Sequence, residues 1–325
     1  MVGANPMRTL FPSVLVALLV SSSTWAQDYP AREIHAVSPV AAGSGGDILV
    51  RYWADKLGKL AGRPVIVDNK GGAQGVVGTE YAARAKPDGY TLLFTPASSM
   101  LAAQPHFFKK LGFDPFKDFI SVAPLAWLPF GIAVNPKTGI RDVKELVEHL
   151  KKKPGNGFYG MGNNSGLGTA ELFKEMAGLQ TTQVPYKTSA QGLAALLDDQ
   201  IDFLVWDGTF MSGHHKAGRL RMVAVTSPQR SSSLPDVPTM IEQGFTGFEI
   251  TSWWGLAVPA GTPRPIVDKL AGWMREIGAT EETKKFLGNV ATDVLTGTPE
   301  QMAGMLKAEY DRWGRIAKLA KIEPQ

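Results

Sequence analysis

The chain has 325 residues, 34 Lys and Arg against 30 Asp and Glu for a net charge of +4, and no cysteine. The missing cysteines exclude disulfides, thiolate nucleophiles and thiolate metal sites, and so mild a charge excludes the basic stripe of a nucleic-acid binder. About 300 residues make two domains that must be held by their cores alone.

Arg8 is the only charge before Asp28, and it precedes the apolar run at 10–20 and the segment Thr24-Trp25-Ala26. A basic start, a short apolar stretch and a small residue read as a secretory signal over residues 1–26, cleaved near Ala26. The run is too short to span a bilayer comfortably. With no cysteine for lipid attachment, the mature chain from Gln27 is expected to be free in the periplasm.

Strand and helix signals then alternate. Residues 34–39 read as a strand, followed by the loop VAAGSGGD at 40–47 and a helix that places Leu49, Trp53, Leu57 and Leu60 on one face and ends at Gly62. A short strand at 64–68 leads through the glycine-rich KGGAQG at 70–75 into a helix, and Pro87-Asp88-Gly89 turns the chain into a strand at 90–94. Two extended segments follow at 120–125 and 130–134, then a helix at 143–152. The run Lys151-Lys152-Lys153 at its end is a solvated helix terminus, where cations suit the dipole. A strand at 157–160 precedes the loop MGNNSGLG at 161–168, which opens a helix at 169–177. Strands at 182–185, 201–206 and 221–227 alternate with helices at 190–197 and 211–217, and further helices lie near 265–277 and 299–320.

Repeated βαβ units predict an α/β protein with mixed, mostly parallel sheets flanked by helices. Extended crossings near 124–134 and 224–235 divide it into two lobes, one of residues 27–123 plus 227–325 and the other of 124–226. Ligands of such sheets sit beyond the C-terminal strand ends, which here are the loops 40–47, 95–99, 161–168 and 186–190. Gly43, Gly45 and Gly46 let backbone amides approach a ligand at a helix start that favours an anion. The spacing meets neither G-x-G-x-x-G nor a P-loop, and a tight turn is the plain alternative. MGNNSGLGT repeats the arrangement with the hydroxyls of Ser165 and Thr169, the alternative being an N-cap by Ser165 or Asn164. Asp207 ends a strand, where it either accepts a ligand ammonium or hydroxyl or caps the next helix. Of Trp253 and Trp254, one faces the core and the other can wall a cleft. His214 and His215 point in different directions on a helix and have no carboxylate at i+4, so no metal site is expected. Ser165 and Ser189 lack the G-x-S-x-G elbow of a hydrolase.

Several segments in order carry a family resemblance. They include YPAREI at 29–34, the G-x-x-x-D-x-x-x-R pattern of Gly43, Asp47 and Arg51, PVIVDNKGGAQGVVGTE at 64–80 and KPDGYTLLF at 86–94. DPFKDF at 114–119, VPYK at 184–187, KAGRLRMVAVTS at 216–227, LPDVPT at 234–239 and SWWGLAVPAGTP at 252–263 complete them. Across the mature chain these residues resemble the Bug family, the extracytoplasmic solute receptors of tripartite tricarboxylate transporters.

The resemblance implies a two-lobed, Venus-flytrap binding protein of the type II kind, without catalysis, cofactor or metal. It captures a small carboxylate through backbone amides and ordered waters. Carried over, the contacts fall on Gly43, Ser44, Gly45, Gly46 and Asp47 and, opposite them, on Asn163, Asn164, Ser165 and Gly166. Ala97, Ser98 and Ser99, then Thr188, Ser189 and Ala190, and the strand-end Asp207 complete the set. The first loop departs from the family's P-G-G with Ala42-Gly43-Ser44, the second is shorter and lacks its usual histidine near Leu167, and Thr188-Ser189 replaces glycines after VPYK.

The expected partners are the small organic acid and the permease subunits of a tripartite tricarboxylate transporter, with the protein monomeric and no nucleic acid bound. A sensory receptor docking on a sensor kinase shares these features. An exported serine hydrolase using Ser165 or Ser189 is the third class.

Overall fold

The first βαβ unit sets the pattern. In a computed structural model the described residues are 1, 29–319 apart from 163, 187, 249 and 291, and 322–324; the expected secretory signal lies outside them save for residue 1. Strand β1 (Ile34–Ser38) runs into helix α1 (Gly45–Ala61), which is capped by the Ser44 hydroxyl accepting from the Asp47 amide at 3.3 Å and stopped at Gly62, whose φ is 65°. The helix buries Leu49, Val50, Trp53, Ala54 and Leu57, while Leu60, expected on the same face, is exposed. Full burial of side chains like Trp53 and Leu57 is worth roughly 1.5–3 kcal/mol each.

Strand β2 (Val65–Asn69), helix α2 (Val76–Ala83) and strand β3 (Thr91–Thr95) follow. A π-type turn over Ser98–Ala103 then runs directly into the short helix α3 (Gln104–Phe107). Strand β4 spans Phe119–Val134 without a break, where two separate extended segments were expected. Beyond it come α4 (Val143–Lys151), β5 (Phe158–Met161), α5 (Asn164–Ala177), β6 (Thr182–Pro185), α6 (Ser189–Leu197), β7 (Phe203–Asp207), α7 (Gly208–Lys216) and β8 (Arg221–Val225). The chain returns through β9 (Thr251–Pro259), α8 (Arg264–Ala279), α9 (Glu281–Asn289), β10 (Asp293–Val294) and α10 (Pro299–Leu319).

The strand order is β2-β1-β3-β9-β4-β7-β5-β6, with β8 and β10 also paired to β4. Pairing is parallel at the outer strands, β1 with β2 and β3, and β5 with β6 and β7. The crossing strands run antiparallel. The stretch of β4 from Phe119 to Pro129 pairs with β9, and its continuation from Phe130 pairs with β7 and, from Gly131, with β8. One strand therefore belongs to both halves of a mixed sheet. Its register shifts at Ser121/Ala123 and Pro124/Ala126, and bulges of this kind bend a strand and raise its twist.

Helices cover both halves. Trp53, Leu57, Leu92, Phe94, Leu256 and Leu270 belong to the core of the first half, and Leu193, Leu196, Leu204 and Met222 to that of the second. A further cluster joins Leu101 and Phe107 to Phe173 of α5 and to Leu306, Trp313 and Ile316 of α10. The C-terminal helix thus packs across the junction, against β4, the turn at 98–103 and α5.

Candidate functional site

The C-terminal ends of β1, β2 and β3 face those of β5, β6 and β7 across a cleft of about 700 Å³. This is where an α/β sheet binds ligands, because its loops and helix starts converge there. Residues after all six strands line it: Pro39, Ser44 and Gly46 after β1, Gly72 and Gln74 after β2, Ser99 and Met100 after β3, Ser165 after β5, Ser189 after β6 and Thr209 after β7. Helices α1, α5, α6 and α7 all start at this wall, through Gly45, Ser165, Ser189 and Thr209. A helix N-terminus carries about half a positive charge, and caps take up one amide each of α1, α6 and α7, through Ser44, Thr188 and Asp207. The crossing strands close the floor with Leu128 and Phe130 of β4 and Ser252 and Trp254 of β9.

The structure brings Ser44, Gly45, Gly46, Ser99, Ser165, Ser189 and Asp207 to this cleft. Gly43 and Asp47 stand just behind it. The Asp47 carboxylate, 2% exposed, accepts from the Gly43 amide at 2.8 Å, Arg51 Nε at 2.9 Å and Asn69 Nδ2 at 2.8 Å. Burial opposes its ionisation, but Arg51, the Gly43 amide and Asn69 outweigh burial and hold the carboxyl below its ordinary range. Asp47 therefore braces the glycine loop from behind. Ala97 and Ser98 are fully buried. Ser98 Oγ accepts from the Trp253 amide at 3.1 Å, which ties the turn after β3 to β9.

Thr188 caps α6 by accepting from the Gln191 amide at 3.3 Å, and Ala190 is exposed on that helix. Gly166 lies in the first turn of α5, which starts at Asn164 instead of the expected 169. Asn163 and Lys187 lie outside the described residues, as does the side chain of Asn164. Asp207 does cap a helix, accepting from the Phe210 amide at 2.9 Å, and it lines the cleft as well. Burial pushes its carboxyl above the ordinary range, against the bonds from Phe210 and neighbouring amides.

Trp253 and Trp254 divide as alternation requires. Trp253 enters the core that contains α10, and Trp254 walls the cleft, its indole lying against Gly46, whose Cβ would come within 2.7 Å of it. His214 packs edge-on against Phe210 with ring centroids 4.8 Å apart, and His215 Nδ1 accepts from the Met222 amide at 3.3 Å. Among the described residues no three His, Asp or Glu gather as metal ligands.

The sequence reading missed several lining residues. Residues 72–75 run through four consecutive positive φ values, 125°, 45°, 54° and 91°, two of them at the non-glycines Ala73 and Gln74. Their signal was KGGAQG, a glycine-rich segment after a strand like the other loops. Gln104, Met100 and Val290 carried no sequence signal. Among the described lining residues there is no Lys, Arg or His, and Asp207 is the one ionisable group. The described lining is thus hydroxyls and helix-start backbone around an apolar floor, and amides presented at helix starts suit an anion.

Two α/β halves sharing crossing strands, with the binding groups at facing strand ends, define a two-lobed solute-binding protein of the Venus-flytrap kind. The model of the tripartite tricarboxylate transporter family receptor (TctC) matches residues 49–322, and the chain belongs to this family of periplasmic solute receptors. It is 30% identical to protein BugT of Bordetella pertussis over 303 residues, 92% of each chain. Among solved structures, R. palustris Rpa4515 with adipate is 30% identical, with a TM-score of 0.81 over 92% of this chain and 100% of that one. MatC from Rhodopseudomonas palustris with bound malate is 26% identical, with a TM-score of 0.76 over 89% of this chain and 99% of that one. No helix among the described residues is long and apolar enough to cross a membrane.

Proposed function

We propose that this protein captures a small organic carboxylate between its two lobes and delivers it to the membrane permease of a tripartite tricarboxylate transporter. The lobes are residues 27–123 with 227–325, and residues 124–226, and the contacts are Ser44 to Gly46, Ser99, Ser165, Ser189 and their amides. The observation that carries the reading is the convergence of four helix N-termini on one cleft whose described lining holds no cationic side chain. Hydrogen bonds to a charged group contribute about 1.5–3 kcal/mol each. A few amides closing on one carboxylate therefore reach the roughly −8 kcal/mol of micromolar binding.

Capture proceeds by hinge closure. The acid binds the amides of one lobe, and contacts from the other shift the population toward the closed form. The adipate and malate held by the two relatives support a carboxylate as the ligand class. A thermal-shift screen of small carboxylic acids on the mature protein, followed by calorimetry of each hit, tests the reading. Stabilisation by one or more acids, lost on Gly45→Val, is expected. Stabilisation by sugars, amines or metal salts and by no acid would refute it. Recovery of permease subunits rather than a sensor kinase with the liganded protein decides its partner.

A further inference from the structure

Gln104 is 2% exposed and lines the cleft from the start of α3. Its amide nitrogen donates to the carbonyl of Gln74 at 2.7 Å. That bond fixes which way the amide faces, since turning it over would set two acceptor oxygens against each other. The Oε1 of this cleft-lining side chain is then left buried with no hydrogen-bond partner among the described residues. Native proteins rarely leave such an acceptor unmet without a reason.

Asp207 lies across the same cleft at the start of α7; one oxygen accepts from the Phe210 amide, and burial opposes ionisation of the carboxyl, so a donor brought by a ligand, above all a cationic one, is the partner that would hold it as a charged acceptor. The amide ring around α1, α5 and α6 supplies donors for an anion, whereas Gln104 and Asp207 ask for the opposite. Two acceptors, one on each side, neither pair with a bare carboxylate nor suit an alkyl chain. They suit an N–H or O–H borne by the ligand.

We infer that the ligand this cleft selects is an acid that also carries a hydrogen-bond donor, a protonated amine or a hydroxyl, received by Gln104 Oε1 and Asp207. The inference rests on the carboxylate reading above and narrows it from organic acids in general to amino and hydroxy acids. The apolar floor of Leu128, Phe130 and Trp254 then holds the carbon skeleton between the two poles.

Titration calorimetry with matched acids tests it: succinate, malate and aspartate as one set, and hydrocinnamate, phenyllactate and phenylalanine as another, with phenethylamine and putrescine as acid-free controls. In at least one set the hydroxy or amino acid is expected to bind about tenfold or more tighter than its unsubstituted parent. Gln104→Met, which keeps the length and removes both polar atoms, should erase most of that preference. Asp207→Asn, which keeps a capping side chain, gives a second reading should Gln104→Met fold poorly.

Equal affinity within both sets, or a preference that survives both substitutions, overturns the inference while leaving the carboxylate reading standing. Binding of the amines without any acid overturns the carboxylate reading itself. Binding of no compound in the panel counts against both.

Discussion

Gly46 offers a direct test of how the cleft wall is built. An ideal Cβ at this position would lie 2.7 Å from Trp254 Cη2, 2.8 Å from Cζ2 and 3.2 Å from Val40 Cγ2. Carbon atoms rest at about 3.5–4.0 Å, so Gly46→Ala forces close to 1 Å of overlap on a ring. The indole is 7% exposed and packed in the same core as Leu128 and Leu256, so it has little room to yield. Overpacking of this kind costs about 1–3 kcal/mol.

Gly45, one residue earlier in the same helix, would meet nothing within 4 Å. Gly45→Ala should be neutral, or gain about 0.4–1 kcal/mol by restricting the unfolded chain. Urea denaturation of the two variants beside the parent measures the contrast directly. If Gly46→Ala were as stable as Gly45→Ala, the indole would not be seated on Gly46 and the described cleft wall would be wrong.

Asp207→Ala should lose about 0.5–2 kcal/mol of stability as the α7 cap is removed, whereas Asp207→Asn keeps a good capping group and should lose little; thermal denaturation separates them. The histidines His106, His214 and His215 are all held below the ordinary imidazole range, mainly by burial. The unfolded chain thus binds their protons more readily, and stability should fall as pH drops through about 6.5. His106→Gln should flatten that fall in urea titrations between about pH 5 and 7, since burial lowers the imidazole of His106 despite the Tyr310 carbonyl 2.9 Å from Nε2, which pulls the other way. With no cation on the described lining, calorimetric affinity for a bound acid should change less than about threefold from about 0.01 to 0.15 M salt. A steep salt dependence would point to a charged contact elsewhere.

The alternation of elements was legible because each helix has a stripe and each strand a run. Val143, Leu146 and Leu150 of α4 are buried where their spacing put them. Helix starts were the weak point, and glycine is the reason. Gly45, Gly46, Gly166 and Gly208 lie in first turns that read as loop, since glycine is a poor helix former, yet the helices run through them, with side-chain caps at α1 and α7. Strand β4 read as two pieces, 120–125 and 130–134, with Pro129 in the gap, and proline cannot donate to a ladder. Its pairing with β9 nonetheless runs in continuous register from Ala126 to Pro129. The glycine loops were legible, and the structure brings them to the lining of one cleft. Gln104 could not be found, because its role depends on a bond to Gln74 thirty residues earlier in sequence.

The junction between the halves is more than a pair of strands. Helix α5 starts in the cleft at Ser165, and within its first turns Gly168 lies so close against the Trp313 indole of α10 that a Cβ there would collide with it. Trp313 is fully buried and packs edge-on with Phe107 at 5.8 Å, at the end of the segment that carries Ser99, Met100 and Gln104 along the opposite wall. Both walls of the cleft therefore rest on one side chain of the C-terminal helix. Swinging α5 away from Trp313 would open a void, at about 24 cal/mol for each Å³ left unfilled, so a closing motion that keeps this contact costs less than one that breaks it. The hinge closure proposed above would pivot where β4 passes from β9 to β7, with α10 limiting its direction.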